Sequence, residues 1–433
     1  MLGLSETFPE HFGPNNIPFG VASSPTHRQP TCATRINDTV IFLAPLARSG
    51  MFDNIAGNLE EVFSKPALND FAALPKSISR SVRAALQSII SMAASTEELL
   101  ARLPKESAAP ISEVQLHLPV AVGDFTDYSA SENHMLNMSE IISGRRATPP
   151  SFYNFPVGYG GRAGSIVVSG TPIERPYGQY APRDQNTGAA AGGGNAARLM
   201  FNPSQKVDYE LEVAAVIGRR LSRGERLHAA DADKHIFGLV LLNDWSARDI
   251  QAHEMTGLGP NNGKSFGTSI SPWIITLEAL EPFKMALDSP QRTVPSYLDD
   301  PHSCTYTVDL TVEILHGSDH ASSTTVCTTA LQTLYWTFRH ILAHQAVGGS
   351  GLRTGDVVAC GTVSGAADSQ RGCLMEATRG GKQPLTLTDG STRVYLEDGD
   401  VVRLTGAASS TKGVAGVGFG ECIGQLCPAR PWP

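Results

Sequence analysis

KVDYELEVAAVIG, residues 206–218, alternates the apolar Val207, Tyr209, Leu211 and Val213 with Asp208, Glu210 and Glu212. A period of two is the pattern of a strand, with one face for apolar packing and the other given over to acids. On such a strand Glu210 and Glu212 stand side by side, about 6 to 7 Å apart. Like charges at that spacing repel unless solvent or a cation lies between them. A hard divalent ion such as Mg2+ or Ca2+, held by carboxylate oxygens at about 2.0 to 2.6 Å, would neutralise them. On this segment alone, the solvated outer face of an ordinary strand is the commoner arrangement.

The next segment, HIFGLVLLNDWSARDIQ (235–251), shifts that balance. Ile236 to Leu242 reads as a buried strand, and Asn243 and Asp244 stand at its end, where a helix is expected to start. In that helix Asp244, Arg248 and Gln251 fall at i, i+4 and i+7 and share a face, as the wall of a pocket would. The plainer alternative is an N-cap aspartate with a weak ion pair to arginine. Upstream, VGDFTDYSASENH (122–134) supplies Asp124 and Asp127 in a turn-like setting and then His134. A lone histidine is more often structural, so His134 matters only beside its partners.

The rest of the chain frames these segments. Its 433 residues, 41% hydrophobic and 18% charged, allow two or three packed domains, and 42 Gly with 28 Pro suggest a turn-rich, mainly β (α+β) protein. A formal charge of −8, with no run of five like charges, argues against nucleic acid or an anionic membrane as partner. No apolar stretch reaches about 18 residues, so no membrane span is expected. The N-terminus carries no leader pattern, and seven cysteines without a C-x-x-C pair fit reduced thiols and a cytosolic home. The sequons at Asn37 and Asn137 are accordingly read as chance.

Within residues 1–118, Pro75 to Met92 spaces Ile78, Val82, Ala85, Leu86, Ile89 and Ile90 as one amphipathic helix. From there to residue 433 the texture is β, including an alternating strand from Thr305 to Leu315. A helix is expected from Leu331 to Val347, and a low-complexity surface loop at 188–196. His316 and His320 are read as surface residues without a third ligand. The expected boundary between a small first unit and a large second one is at residues 118/119.

Taken in order, GDFTDY (123–128) with His134, FPVGYGGRAGSIVVSGTPI (155–173), DYELEVAAVIG (208–218), HIFGLVLLNDWSARDIQ (235–251), GKSFGTSISPW (263–273) and ACGTVSG (359–365) with Glu376 closely resemble the motifs of the fumarylacetoacetate hydrolase family. The likeness runs from NIPFGVAS (16–23) to GFGECIG (418–424), nearly the whole chain. It implies a small SH3-like N-terminal barrel followed by a large mixed β-sandwich roll, assembled as a homodimer. The implied activity is hydrolysis of a carbon–carbon bond in a small 1,3-diketo substrate.

The same resemblance implies Asp127, Glu210, Glu212 and Asp244 as ligands of Mg2+ and/or Ca2+, with a second cation near Lys264, Gly267 and Thr268. It implies a His134–Glu376 dyad, with Arg248, Gln251 and Lys264 around the developing oxyanion and Tyr159 and Thr362 beside the substrate. Three positions depart from the family pattern. Ser129 stands where a tyrosine is expected, Met255 replaces another, and an arginine is missing near Ser143, although Arg145 and Arg146 lie close by. Each lost charge-assisted bond removes about 1.5 to 3 kcal/mol of recognition, which implies a shift towards a less polar diketone. Two other outcomes compatible with the pattern are decarboxylation, isomerisation or carbon–carbon bond formation at the same site, and a catalytically dead binding protein.

Overall fold

The structure is a computed structural model describing residues 8–181, 199–255, 258–287, 293–316, 320, 322–408 and 416–433. The low-complexity stretch 188–196 lies outside these residues.

Among the described residues, thirteen strands form the main sheet. Along its path lie Ala108–Pro110, Thr39–Phe42, Thr31–Ile36, Phe19–Ser23, Trp273–Thr276, Ile236–Asp244, Leu211–Ile217, Val357–Ala359, Phe125–Tyr128 and Gly158–Gly160. A second, five-stranded sheet orders Ser322–Ala330, Asp309–His316, Val401–Ala408, Val417–Cys427 and Ile173–Glu174. Strand parity explains how they stack. Leu211, Val213, Ala215 and Ile217 join one core with Leu310, Val312, Ile314, Leu404 and Phe419 of the second sheet. Ala214 and Val216, of the opposite parity, join a second core with Phe19, Phe71, Val82 and Leu86 from the N-terminal part. The central strand is therefore covered on both faces.

The N-terminal strands belong to the same hydrogen-bonded sheet, for Phe19 pairs with Ile274 and Gly20 with Trp273. The amphipathic helix forms over Lys76–Ser91 and buries Val82, Leu86 and Ile90, as its spacing predicts. None of the seven cysteines is in a disulfide. Among the described residues no helix is long and apolar enough to cross a membrane.

Five local expectations change. The strand at 206–218 is two pieces, Val207–Asp208 on Ser246–Ala247 and Leu211–Ile217 between Ile236–Asp244 and Val357–Ala359. At the break the Glu210 N–H donates to Asn243 Oδ1 (3.0 Å) and the Leu211 N–H to the Gly372 carbonyl (3.0 Å), so the chain changes partner there. The expected helix at Asn243 and Asp244 is displaced, because ladder pairing with Leu211 and Thr268 keeps both extended. Helix begins only at Arg248 and ends at Glu254.

The Thr305–Leu315 strand is interrupted after Tyr306, where the Thr307 N–H turns to the Phe283 carbonyl. The helix expected from Leu331 starts at Phe338, behind a Thr337 cap; Leu331–Thr333 makes only a 3-10 turn, because the chain becomes extended at the buried Leu334. His316 is not a surface residue. It is buried, with Nε2 on the hydroxyls of Thr324 and Thr388 (3.0 and 3.1 Å).

Candidate active site

Four segments meet at the edge of the central strands. Asp127 comes from Phe125–Tyr128, aligned with Ala359 of the parallel neighbour. Glu210 comes from the strand break, Glu212 from Leu211–Ile217, and Asp244 from the last position of Ile236–Asp244. Their carboxylate oxygens lie within 4.8 Å of one another, and all four residues are buried. A solvated acidic face is thereby ruled out for Glu210 and Glu212, which are 5% and 0% exposed.

The cluster is only partly neutralised. Lys264 Nζ bonds Glu210 and lies 2.6 Å from Asp244 Oδ2. Arg248 Nη1 lies 2.7 Å from Glu210 Oε1. Thr268 Oγ1 and the Tyr159 hydroxyl donate to Asp244 at 2.8 and 2.9 Å, and the Gly361 N–H donates to Glu212 at 3.1 Å. Asp127 Oδ1 and Glu212 Oε1 are shielded from solvent and have no hydrogen-bond partner among the described residues.

Burial pushes the Asp127 and Glu212 carboxyls up, and the neighbouring acids push them further. Burial also works to raise Glu210, but the charges of Lys264 and Arg248 outweigh it and hold that carboxyl well below its ordinary range. Unpaired, buried, mutually repelling carboxylate oxygens are an unfavourable arrangement for a protein alone. An all-oxygen donor set of this kind matches a hard divalent cation.

Beside the cluster stands a second set. Ser131 caps the helix Glu132–Ser143 through the His134 N–H (3.2 Å), which places His134 in the first turn. His134 Nδ1 lies 2.8 Å from Glu376 Oε2. The other donors to Glu376 are the Asn137 amide (2.7 Å), the Ser364 hydroxyl (2.8 Å) and the Cys373 thiol (3.4 Å). Burial would raise the Glu376 carboxyl, yet the His134 imidazole and these bonds hold it below the ordinary carboxylate range. With Nδ1 committed to a carboxylate, Nε2 of His134 is the nitrogen left to accept a proton. The imidazole also acts on the charge of Glu210, so the two sets are neighbours.

The remaining expected residues divide. Arg248 and Gln251 share a turn, joined by Nη1 to Oε1 at 3.2 Å. Tyr159 and Thr268 touch the cluster through Asp244. Gly267 is buried against Ile173, and Thr362 is buried with a hydroxyl that has no partner among the described residues. Ser129 is half-buried, its N–H donating to the Val157 carbonyl. Met255 is 51% exposed at the end of its helix. Arg145 is exposed, whereas Arg146 turns back to donate to Asn137 Oδ1 at 2.7 Å.

Asn137 and Ser364 were not singled out from sequence. Asn137 sits one turn beyond His134, a spacing that could have found it. Ser364 lies in ACGTVSG with nothing to mark its hydroxyl. Asn137 is also buried against Glu376, so its sequon is not a surface feature.

Residues 15–119 match the family described as "Fumarylacetoacetase N-terminal", and residues 125–426 match "Fumarylacetoacetate (FAA) hydrolase C-terminal". A fumarylacetoacetase of Arabidopsis thaliana is 40% identical over 427 residues, covering 97% of this chain and 97% of that protein. The Homo sapiens fumarylacetoacetase is 35% identical over 426 residues, covering 98% and 96%. Among solved structures, a fumarylacetoacetate hydrolase from Exiguobacterium antarcticum shares the fold at a TM-score of 0.50 and 17% identity, over 96% of this chain and 100% of that one. With both family regions matched and close relatives aligned almost end to end, this chain belongs to the fumarylacetoacetate hydrolase family.

Proposed function

We propose that this chain hydrolyses a carbon–carbon bond of fumarylacetoacetate or of a close, less polar 1,3-diketone. One observation carries the reading: four buried acids, two of them (Asp127 and Glu212) with an unpaired oxygen, converge beside a histidine whose Nδ1 is tied to a buried glutamate.

Cleavage of a carbon–carbon bond requires its electrons to leave as an enolate rather than a free carbanion. Asp127, Glu210, Glu212 and Asp244 would hold a divalent cation, Mg2+ or Ca2+, which when bound would supply Lewis-acid stabilisation of that charge. His134 takes a proton from water through Nε2, and Glu376 stabilises the imidazolium. Hydroxide adds to one carbonyl carbon, and the alkoxide meets the positive charges of Lys264 and Arg248 with the Gln251 amide nearby. Collapse expels the enolate and leaves a carboxylic acid. His134 returns its proton to the enolate carbon, so one water is consumed and two fragments leave.

Ser129 and Met255 offer the substrate's tail fewer charged or phenolic partners, which supports the less polar alternative. The partial family matches at 15–119 and 125–426 support a division into units 1–118 and 119–433. We infer a cytosolic homodimer, which sedimentation velocity and cell fractionation test.

The deciding experiment is turnover of fumarylacetoacetate and of acetylpyruvate in 18O-water. Hydrolysis gives two fragments, with solvent oxygen in the new carboxylate, and His134→Ala abolishes it. Turnover without solvent oxygen, or an undiminished rate in His134→Ala, removes the reading.

A further inference from the structure

Asp208 has the alternation of a third cluster acid but turns away from the other acids at the strand break. Its carboxylate is fully buried. Oδ1 accepts the Leu374 N–H at 2.7 Å, and Oδ2 accepts the Met375 N–H at 3.0 Å. Oδ2 also accepts Arg248 Nε at 2.8 Å, with Nη2 of the same guanidinium 2.8 Å away.

Both partners bear on the chemistry. Leu374 and Met375 open the short turn Leu374–Ala377 that carries Glu376, and its preceding residue, Cys373, makes no side-chain cap. Asp208 supplies that cap from far along the chain. Arg248 opens the other helix, and its remaining edge, Nη1, faces Glu210 Oε1 at 2.7 Å. One carboxylate thus grips the guanidinium that reaches the acid cluster and the peptide groups that aim the dyad glutamate.

We propose that Asp208 is a positioning residue, a strut that fixes the spacing between Arg248 at the acid cluster and Glu376 behind His134. The three hydrogen-bond donors, Leu374 N–H, Met375 N–H and Arg248 Nε, converge on Asp208 from two helices, so neither helix can shift without disturbing the carboxylate that also holds the other. A guanidinium hydrogen-bonded through Nε to Asp208 and through Nη1 to Gln251, with Nη2 in ion-pair contact, is held against rotation, and Nη1 is presented to Glu210 in a fixed orientation. The kinetic test rests on the hydrolase reading; the structural test does not.

Asparagine at 208 keeps the size and one acceptor oxygen but removes the charge and turns an amide towards a donor. Asp208→Asn is expected to lower kcat for fumarylacetoacetate about 10- to 100-fold, with KM changed by less than about threefold. In a Glu376→Gln background the same change should cost less than about threefold, because the alignment it protects is already lost. Multiplicative losses in the double variant, or kcat and KM moving together with the melting temperature, would mean a merely structural acid and overturn the proposal.

If Asp208→Asn does not fold, Asp208→Glu replaces it. It keeps the charge but moves the carboxylate by one methylene, so it cannot meet Arg248 and the Leu374 and Met375 amides together, and the same dependence on Glu376 is expected. Should the unmodified chain turn over no diketone, the hydrolase reading falls, and crystal structures decide the strut. Parting of Arg248 from Glu210, or of Glu376 from His134, in Asp208→Asn supports it. Retention of both contacts overturns it.

Discussion

Replacing Glu376 by glutamine keeps the shape of the dyad and removes its charge. In the native arrangement Oε2 accepts from His134 and Ser364, both at 2.8 Å, and Oε1 accepts from Asn137 at 2.7 Å. A neutral amide forfeits the charge-assisted bond to the imidazolium, a loss of about 1.5 to 3 kcal/mol in the proton-transfer transition state. At roughly 1.4 kcal/mol per decade this alone slows the step about 10- to 150-fold. The amide nitrogen must also face at least one of the four donors to this carboxylate, which loosens the imidazole and adds about another tenfold. The expected result is kcat lower by about 100- to 1000-fold with KM little changed. Initial rates of diketone loss between about pH 5 and 9 measure it.

The same carboxyl predicts an acid limb of stability. Its folded value is depressed, so the stability it contributes is complete above the unfolded value of 4.5 and is lost as pH falls through the lower folded value. Glu376→Gln should lack that dependence in thermal melts. A kcat within about threefold of the unmodified chain would refute the dyad.

Asp127 has the opposite sign. Burial and Asp244 lift it to about 7 from 3.8, so protonation stabilises the fold below 3.8 and that stability is lost as pH rises through about 7. A divalent cation replaces the proton, so Mg2+ or Ca2+ should raise the melting temperature more at about pH 8 than at about pH 5; an equal or reversed effect would argue against binding at this cluster. Gly361 has φ of +78°, and a Cβ there would lie 1.9 Å from the Tyr128 carbonyl oxygen. Gly361→Ala should therefore cost about 2 to 5 kcal/mol, visible as a melting temperature lower by about 2 to 6 °C, and should weaken cation binding through the displaced N–H to Glu212. An unchanged melt would show that the turn can relax. Asn137→Ala should reduce kcat about 5- to 20-fold by releasing one oxygen of Glu376, and a change confined to KM would count against that role.

Much of the site was legible because strand periodicity is local. Glu210 and Glu212 follow from alternation at 206–218, and Asp244 from its place at the end of an apolar run. What stayed hidden depends on contacts distant in sequence. Nothing near Asp208 shows that it bonds amides 166 and 167 residues away. The change of ladder partner at Tyr209 and Glu210 depends on the Asn243 side chain. The helix expected at Asp244 failed because pairing with Thr268 outweighs local helix signals, a tertiary effect that no window of sequence contains. Arg145 and Arg146 are indistinguishable in a string, and only the backbone after Gly144 decides which one turns back.

The seam between Phe19–Ser23 and Trp273–Thr276 sets a limit on dissection of this protein. A fragment beginning at residue 119 would retain every acid of the cluster and the whole dyad. It would also lose the neighbour of Trp273 and Ile274, and the covering over Ala214, Val216, Val240 and Leu242. An open strand edge bordered by bare aliphatic side chains recruits other chains, so such a truncation would aggregate before its chemistry could be assayed. The leading segment thus closes the sheet edge behind the acid cluster, although none of the candidate site residues lies within it.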